Sequence, residues 1–87
     1  MARVFIPSQL REVTNGLGEF DANGATVREL VQSLASRFPE LSPRLCRDGE
    51  LSPALQVSVD GVFSRSGLDA KVKPASEVHF LPVFGGG

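Results

Sequence analysis

Hydrophobic residues recur with a helical period in one long stretch of the chain, "ATVRELVQSLASRFPE". The apolar positions at spacings of three and four are Val27, Leu30, Val31, Leu34 and Phe38. Thr26 precedes Glu29 by three residues, which predicts a capping box at the helix start. Pro39 predicts the end, because the residue before a proline is pushed out of helical geometry. The pattern therefore predicts an amphipathic helix over about residues 27–38.

Alternation with a period of two indicates strands before this helix. In "RVFIP", Val4 and Ile6 fall on one face of a strand, opposite Arg3 and Phe5. The following "SQLREVTNGLGEF" contains an Asn-Gly turn signal and a second glycine. It predicts a loop or short turn and then a second strand near residues 17–21, which together form an N-terminal hairpin with a long connection.

Further strands are predicted in the second half of the chain. "LSPRLCRDGELSP" is rich in turn residues and predicts a short helical turn near Leu45. "LQVSVDGVFS" alternates before and after the Asp60-Gly61 turn, which predicts a third strand and a short fourth. "EVHFLPV" places Val78 and Phe80 opposite His79 and Leu81, and so predicts the last strand.

The resulting order, β-β-α-β-β-β, predicts an α+β domain with one helix packed against one face of a mixed sheet. The 87-residue length and a hydrophobic fraction of 41% favour one folded domain, and we find no repeat or linker. We expect this domain to span residues 1–83. Residues 84–87 are expected to form a flexible glycine tail.

Three residues are predicted to lie on the sheet face that the helix leaves uncovered: Phe5, His79 and Leu81. If the first and last strands are neighbours, two apolar side chains flank a histidine on this surface. Such a patch indicates a partner-binding site, whereas scattered exposed apolar residues would need no functional explanation.

Charge and composition exclude several kinds of function. Nine basic and ten acidic residues give a net charge of -1, so no basic surface for nucleic acid is predicted. No apolar run approaches the roughly 20 residues of a membrane-spanning helix, and the N-terminus is unlike a signal peptide. The only cysteine is Cys46, which excludes an intramolecular disulfide and suits a reducing compartment. We therefore expect a cytoplasmic location and neither a membrane nor a nucleic-acid partner.

The other reactive side chains give weaker signals. His79 has no second histidine, cysteine or carboxylate cluster at ligand spacing, so neither a metal site nor a catalytic triad is predicted. Cys46 is interpreted as a small buried residue, with a transient bond to a sulfur-transfer partner as the alternative. Arg44 and Arg47 are interpreted as part of a solvated loop, although they could contact an acidic partner.

The whole chain resembles the ubiquitin-like sulfur-carrier proteins, which have the β-grasp fold. The resemblance rests on the order of "LREVTNG", "GATVRELVQSL", "VSVDG", "GLDAKVKPASEV" and "LPVFGGG". Among the branches of this family, the chain is most similar to the carriers of an alternative cysteine-synthesis route. The shared features there are "IP..LR..T.G", "SPRL" before a "GEL" turn, "GL", and "LP" shortly before the glycines.

The resemblance implies a chemical role for the C-terminus. An adenylating enzyme similar to those that activate ubiquitin would use ATP to convert the terminal carboxylate to an acyl-adenylate, and sulfur would then displace AMP to give a thiocarboxylate. The family usually ends in two glycines and this chain ends in three, so the activated residue is Gly87 or Gly86. Gly85 and Phe84 complete the expected tail, since glycine can extend into a narrow channel.

The same resemblance implies that the chain is a protein cosubstrate and not an enzyme, with no bound cofactor. The sulfur acceptor would be a PLP-dependent sulfhydrylase, in which case PLP belongs to that partner. Two alternatives are the small subunit of molybdopterin synthase, which acts with a large subunit, and a ubiquitin-like modifier of other proteins. All three functions share the adenylation step.

Overall fold

Alternating strand residues build a five-stranded mixed sheet, with the main helix packed on one face. The computed structural model describes residues 1–83. The strands are β1 (Ala2–Phe5), β2 (Glu19–Ala22), β3 (Cys46–Arg47), β4 (Glu50–Leu51), β5 (Leu55–Val59), β6 (Val62–Phe63) and β7 (Glu77–Pro82). The helices are α1 (Val27–Ala35) and α2 (Ser42–Leu45), with 3-10 helices at Ser8–Thr14 and Gly67–Asp69. This arrangement confirms the predicted α+β class.

The strand order in the sheet is β2-β1-β7-β5-β6. Strands β1 and β7 are parallel neighbours at its centre, while the other pairs in the sheet are antiparallel. The first and last strands therefore lie side by side, as the interpretation of the uncovered sheet face required. Strand β7 pairs with β1 over residues 77–79 and with β5 over residues 78–82, so β5 alone holds its last residues.

The core lies between α1 and the inward residues of the central strands. The helix buries its apolar stripe, and the sheet contributes side chains with an exposed fraction of 1% or less: Val4, Val57, Val78 and Phe80. Burying a side chain of this kind stabilises the fold by about 1.5–3 kcal/mol. The alternation read from the sequence thus assigns the inward face of β1, β5 and β7 correctly.

Helix α1 is shorter than predicted, because it ends at Ala35 and not near residue 38. The backbone N–H groups of Arg37 and Phe38 both donate to the carbonyl of Leu34, at 3.1 and 2.9 Å. The last turn is therefore tightened and irregular before Pro39, which has no N–H to continue it. Phe38 is nevertheless buried. Its place in the apolar pattern therefore arises from packing in the core and not from helical geometry.

The N-terminus of α1 matches one half of the predicted capping box. The Thr26 hydroxyl accepts a hydrogen bond from the backbone N–H of Glu29 at 3.2 Å. The Glu29 carboxylate accepts from the N–H of Ala25 at 3.0 Å, one residue earlier than the box motif requires. Both bonds still satisfy backbone donors at the helix entry.

The segment between β1 and β2 was predicted as a loop and is mostly a 3-10 helix, Ser8–Thr14. Asn15 ends this helix in the left-handed conformation with φ 57°, followed by Gly16 with φ 85°. Strand β2 begins at Glu19 and ends at Ala22, one to two residues later than predicted. Runs of 3-10 helix longer than three or four residues are uncommon, so the sequence pattern does not favour one here.

Two short strands and a second 3-10 helix were absent from the predicted order. Strands β3 and β4 form a small antiparallel hairpin whose turn residues, Asp48 and Gly49, both have positive φ. This is the backbone geometry that Asp-Gly favours in a two-residue hairpin turn. The predicted helical turn near Leu45 is confirmed as α2, whereas the last strand ends at Pro82 and not at residue 83.

Candidate partner-binding face and C-terminal tail

The sheet face opposite α1 carries a row of two phenylalanines, a serine and a histidine that crosses strands β6, β5, β7 and β1. Cross-strand pairing places Phe63 beside Ser58, Ser58 beside His79, and His79 beside Phe5. In the next row towards the tail, Leu81 pairs with Gln56. We call Phe5, Phe63, His79 and Leu81 the open-face patch.

Two members of the open-face patch form a stacked pair. The rings of Phe5 and His79 are nearly parallel, with centroids 4.2 Å apart and an interplanar angle of 3°. This contact follows from the parallel pairing of β1 and β7, which sets the two residues directly opposite each other. Both rings are only partly buried, so part of the stack is accessible at the surface.

Phe63 extends the patch beyond the residues predicted from the sequence. Its exposed fraction is 58%, the largest among the four members. The signal was present in the sequence, because a two-residue Asp60-Gly61 turn pairs Val59 with Val62 and Ser58 with Phe63. Phe63, which follows Val62, therefore faces away from α1. Large exposed aromatic residues are frequent binding anchors.

Charged residues border the patch on the side away from the tail. Arg3 contacts Glu19 at 3.2 Å and Asp21 at 3.5 Å, all on the same sheet face. Glu77 lies 3.8 Å from His79 Nε2. Protein-protein interfaces commonly have an apolar centre and a polar, solvent-accessible border, so this face is a candidate binding surface.

The described chain ends next to the apolar side of this face. The Val83 N–H donates to the carbonyl of Ala54 at 2.9 Å, immediately beyond the β5–β7 pairing. The predicted tail residues Phe84, Gly85, Gly86 and Gly87 lie outside the described residues. A partner that covers Leu81 is therefore also placed close to where the tail begins.

Cys46 lines a groove of about 260 Å³ beside α1 and is half-buried. Burial raises the pKa of the Cys46 thiol, although a hydrogen bond with Ser42 and the charge of Arg28 act in the opposite direction. The Arg28 guanidinium is held by Asp69 at 3.2 Å and by the carbonyl of Gly49 at 2.8 Å. A raised pKa disfavours the reactive thiolate, which supports the interpretation of Cys46 as a packing residue.

The remaining candidates from the sequence have structural partners or stand apart. Arg44 forms an ion pair with Glu12 at 3.2 Å, which joins α2 to the first 3-10 helix. Arg47 lies on the exposed β3–β4 hairpin. Within residues 1–83, no three His, Cys, Asp or Glu side chains are grouped so that they could hold a metal ion. Over the same residues, no helix is long and apolar enough to cross a membrane.

The order of strands around one main helix, with parallel first and last strands, defines the ubiquitin-like β-grasp class. The model of the ThiS family matches residues 4–87, so the chain belongs to this family of ubiquitin-like sulfur carriers. The match spans both the open-face patch and the C-terminal glycines.

Individual relatives agree with this assignment. One relative is an Archaeoglobus fulgidus protein that is provisionally named a sulfur carrier. It is 34% identical to this chain, over 98% of this chain and 97% of its own length. The crystal structure of the Amycolatopsis orientalis BexX/CysO complex contains a chain that is 34% identical, with a TM-score of 0.90 and complete coverage of both chains. Mycobacterium tuberculosis CysO is 26% identical with a TM-score of 0.86, over 95% of this chain and 99% of its own.

Proposed function

We propose that this chain carries sulfur as a C-terminal thiocarboxylate and donates it in cysteine biosynthesis. The observation that carries the proposal is the family match, which continues through Gly87 and so includes the tail. The similarity to two CysO chains favours cysteine biosynthesis among the pathways of such carriers. The chain acts as a cosubstrate, and the catalytic groups belong to partner enzymes.

The chemistry proceeds in two transfers at the terminal carboxylate. A carboxylate oxygen of Gly87 attacks the α-phosphate of ATP on an adenylating enzyme, and pyrophosphate leaves. Sulfide then attacks the acyl carbon, the bond to the AMP oxygen breaks, and the product is –CO–SH. Glycine favours both steps, because the absence of a Cβ lets a nucleotide and a nucleophile approach the same carbonyl. If residue 87 is trimmed, Gly86 takes this role.

The open-face patch supplies the binding energy for the adenylating enzyme. The stacked Phe5 and His79 rings, with Leu81 and Phe63 on either side, form an apolar surface that a partner can desolvate. Strand β7 carries Leu81 and ends at Pro82, so an enzyme bound at Leu81 lies close to where the tail begins. The BexX/CysO structure provides a precedent for a complex with a partner protein.

The first test removes the reacting residues. Deletion of Gly86 and Gly87 is expected to abolish ATP-dependent sulfur loading, while the fold is retained because residues 1–83 contain the whole sheet and core. Intact mass gives the readout, since replacing oxygen by sulfur adds about 16 Da. A control variant lacking only Gly87 distinguishes the two candidate termini. Normal loading of the doubly truncated chain would exclude Gly86 and Gly87 as the required termini, whereas no loading of the full-length chain would exclude the carrier function.

The second test identifies the acceptor. The thiocarboxylate form is incubated with a PLP-dependent sulfhydrylase and an activated serine, and sulfur is expected to move to the β-carbon of the amino acid. This first gives a thioester between the tail carbonyl and the amino acid, as the activating group leaves the β-carbon. The amino group of the same amino acid then attacks the thioester carbonyl, the C–S bond breaks to release the thiol, and cysteine is left joined to the carrier through an amide. The molybdopterin alternative would be favoured if no such adduct forms and a molybdopterin synthase large subunit converts a pyranopterin precursor with this carrier.

A modifier function is the second candidate. It is favoured by the small archaeal modifier protein 1 of Methanosarcina acetivorans, which is 25% identical with a TM-score of 0.80. In that case the activated glycine forms an isopeptide bond with a lysine, and the mass of the conjugate includes a complete target protein. Intact mass of the carrier and its adducts therefore separates the two functions.

A further inference from the structure

The outer edge of strand β2 leaves backbone hydrogen-bonding groups unpaired. Strand β2 lies at one end of the five-stranded sheet and pairs with β1 on one side only. The Ile6 N–H donates to the Gly18 carbonyl at 3.0 Å, so the even-numbered residues of β2 are those that bond to β1. The N–H and C=O groups of Glu19 and Asp21 therefore point outwards. Within residues 1–83, we find no hydrogen bond to these four backbone groups.

A groove of about 440 Å³ lies along this edge, and we call it the β2 edge groove. Its lining on the open face of the sheet is Arg3, Glu19 and Asp21, and its lining on the side of α1 is Phe20 and Arg37. Strand β6, at the other end of the sheet, has two residues against the four of β2. The β2 edge is therefore the longer of these two edges for an added strand.

Charge on the open face favours a basic occupant. The Arg3 guanidinium lies 3.2 Å from the Glu19 carboxylate and 3.5 Å from that of Asp21. One cation shared by two carboxylates leaves one net negative charge beside the edge. Both carboxylate side chains are more than half exposed, so a cation of a partner can reach them without any change in the described backbone.

The other side of the groove restricts the residue between two such cations. Arg37 is exposed there, and its guanidinium carbon lies 5.1 Å from the centroid of the Phe38 ring. No carboxylate of residues 1–83 forms an ion pair with Arg37. A basic residue on this side would meet a like charge. Because strand side chains alternate, the complementary segment has basic residues at two alternate positions and a non-basic residue between them.

A second copy of this chain is not complementary to the edge. Two-fold antiparallel pairing of β2 with itself would set Glu19 opposite Asp21 of the other copy. Like charges directly opposite each other destabilise a strand pair. Exposed charges of this kind protect edge strands from self-association. The charge pattern therefore favours a different protein as the occupant.

We propose that the β2 edge groove binds an extended basic segment of a partner protein, which joins the sheet as an added strand. The segment exchanges backbone hydrogen bonds with Glu19 and Asp21 and sets a lysine or arginine beside each carboxylate. The backbone bonds provide affinity, and the alternating side chains provide specificity. This inference goes beyond the proposed function, because it requires neither the terminal carboxylate nor its adenylation.

Nuclear magnetic resonance of the isotope-labelled, full-length carrier tests the proposal with a blocked peptide of sequence Thr-Lys-Val-Lys-Thr. We expect amide shift changes centred on Glu19–Ala22, with slower hydrogen exchange of the Glu19 and Asp21 N–H groups. A matched peptide with glutamate in place of both lysines should not bind. A lysine peptide methylated at both lysine backbone nitrogens keeps its charges but loses those donors, so it should also fail to bind.

The combined variant Glu19→Gln and Asp21→Asn removes the charges and keeps the backbone edge. Both side chains are exposed, so the variant is expected to fold. The Kd for the lysine peptide should rise about 2- to 30-fold, because two favourable cross-strand charge pairs are lost. Glu40→Gln with Glu50→Gln is the matched control, since it removes the same net charge at exposed positions outside the groove.

Several outcomes would overturn the proposal. These are the absence of shifts at residues 19–22 with millimolar lysine peptide, equal binding of the glutamate or the methylated peptide, and equal losses in the two charge variants. Shifts of the same amides that depend on carrier concentration without peptide would also overturn it and assign the edge to a second copy. The measurements use neither ATP nor an adenylating enzyme, so failure of sulfur loading would contradict the proposed function alone.

Discussion

Phe63 provides the sharpest test of the open-face patch, because the adjacent residue is a natural control. Phe63 and Val62 lie on the same short strand with exposed fractions of 58% and 69%. Their register differs by one residue, so Phe63 faces the patch and Val62 faces the opposite side of the sheet. The two substitutions to alanine remove exposed apolar groups from neighbouring positions, and only Phe63→Ala is expected to weaken binding to the adenylating enzyme.

The expected loss of binding free energy follows from the area that the Phe63 side chain exposes in the free carrier. Complete burial of a large apolar side chain contributes about 1.5–3 kcal/mol, and somewhat more than half of that gain is unused in the free carrier. Phe63→Ala should therefore cost about 1–2 kcal/mol of binding free energy, or about 5- to 30-fold in Kd. Its free energy of unfolding should fall by about 1 kcal/mol or less, which leaves the carrier folded.

Isothermal titration calorimetry with the cognate adenylating enzyme measures the two Kd values, and urea denaturation measures stability. A Kd for Phe63→Ala within twofold of the wild type would remove Phe63 from the interface. An equal loss in Val62→Ala would show that the effect arises from general destabilisation of the β5–β6 hairpin and not from the patch.

Two further predictions concern side-chain hydrogen bonds. The Asp60 carboxylate accepts from the Glu77 N–H at 2.9 Å and from the Ser76 hydroxyl at 2.8 Å, which lowers the pKa of Asp60 below its usual range. Its stabilising contribution is therefore present above the pKa of the unfolded chain and is lost as the pH falls through the lower folded value. The difference in urea midpoint between wild type and Asp60→Asn should accordingly be larger at pH 7 than at pH 2–3, and a pH-independent difference would contradict this reasoning. The buried Thr14 hydroxyl donates to the Leu17 carbonyl at 2.7 Å, so Thr14→Val should lower the free energy of unfolding by about 1–3 kcal/mol. Thr14→Ser keeps the donor and is the control; equal stability of the two variants in thermal denaturation would exclude a contribution from this hydrogen bond.

The inward face of the sheet could be predicted because its residues repeat with a single period. Val78 and Phe80 alternate with His79 and Leu81, and burial of one set leaves the other for the open face. The same alternation in β1 placed Phe5 on that face, and the structure confirms its contact with His79. The positions of Phe5, His79 and Leu81 thus follow from the alternation within each strand and from the pairing of β1 with β7.

Other features of the fold and of the patch could not be predicted from the sequence. They depend on tertiary contacts, or on backbone geometry that leaves no periodic pattern of apolar side chains. The 3-10 helix Ser8–Thr14 and the β3–β4 hairpin have too few residues to establish a repeat. The end of α1 was misplaced because Phe38 is buried by packing against Phe20, with ring centroids 4.9 Å apart, after the helix has ended. Phe63 was missed because its exposure on the open face depends on the hairpin register and not on its local alternation.

The central parallel pair of β1 and β7 has a consequence for synthesis of the protein. The sheet cannot be completed until Glu77–Pro82 has joined strands made near the beginning of the chain, and contacts between such distant segments form slowly. During translation this strand is made after every other strand of the five-stranded sheet. A polypeptide that stops short of β7 would leave Val4 and Val57 without their packing partners and be open to degradation. Cells would thereby accumulate folded carrier only from chains in which β7 has been translated.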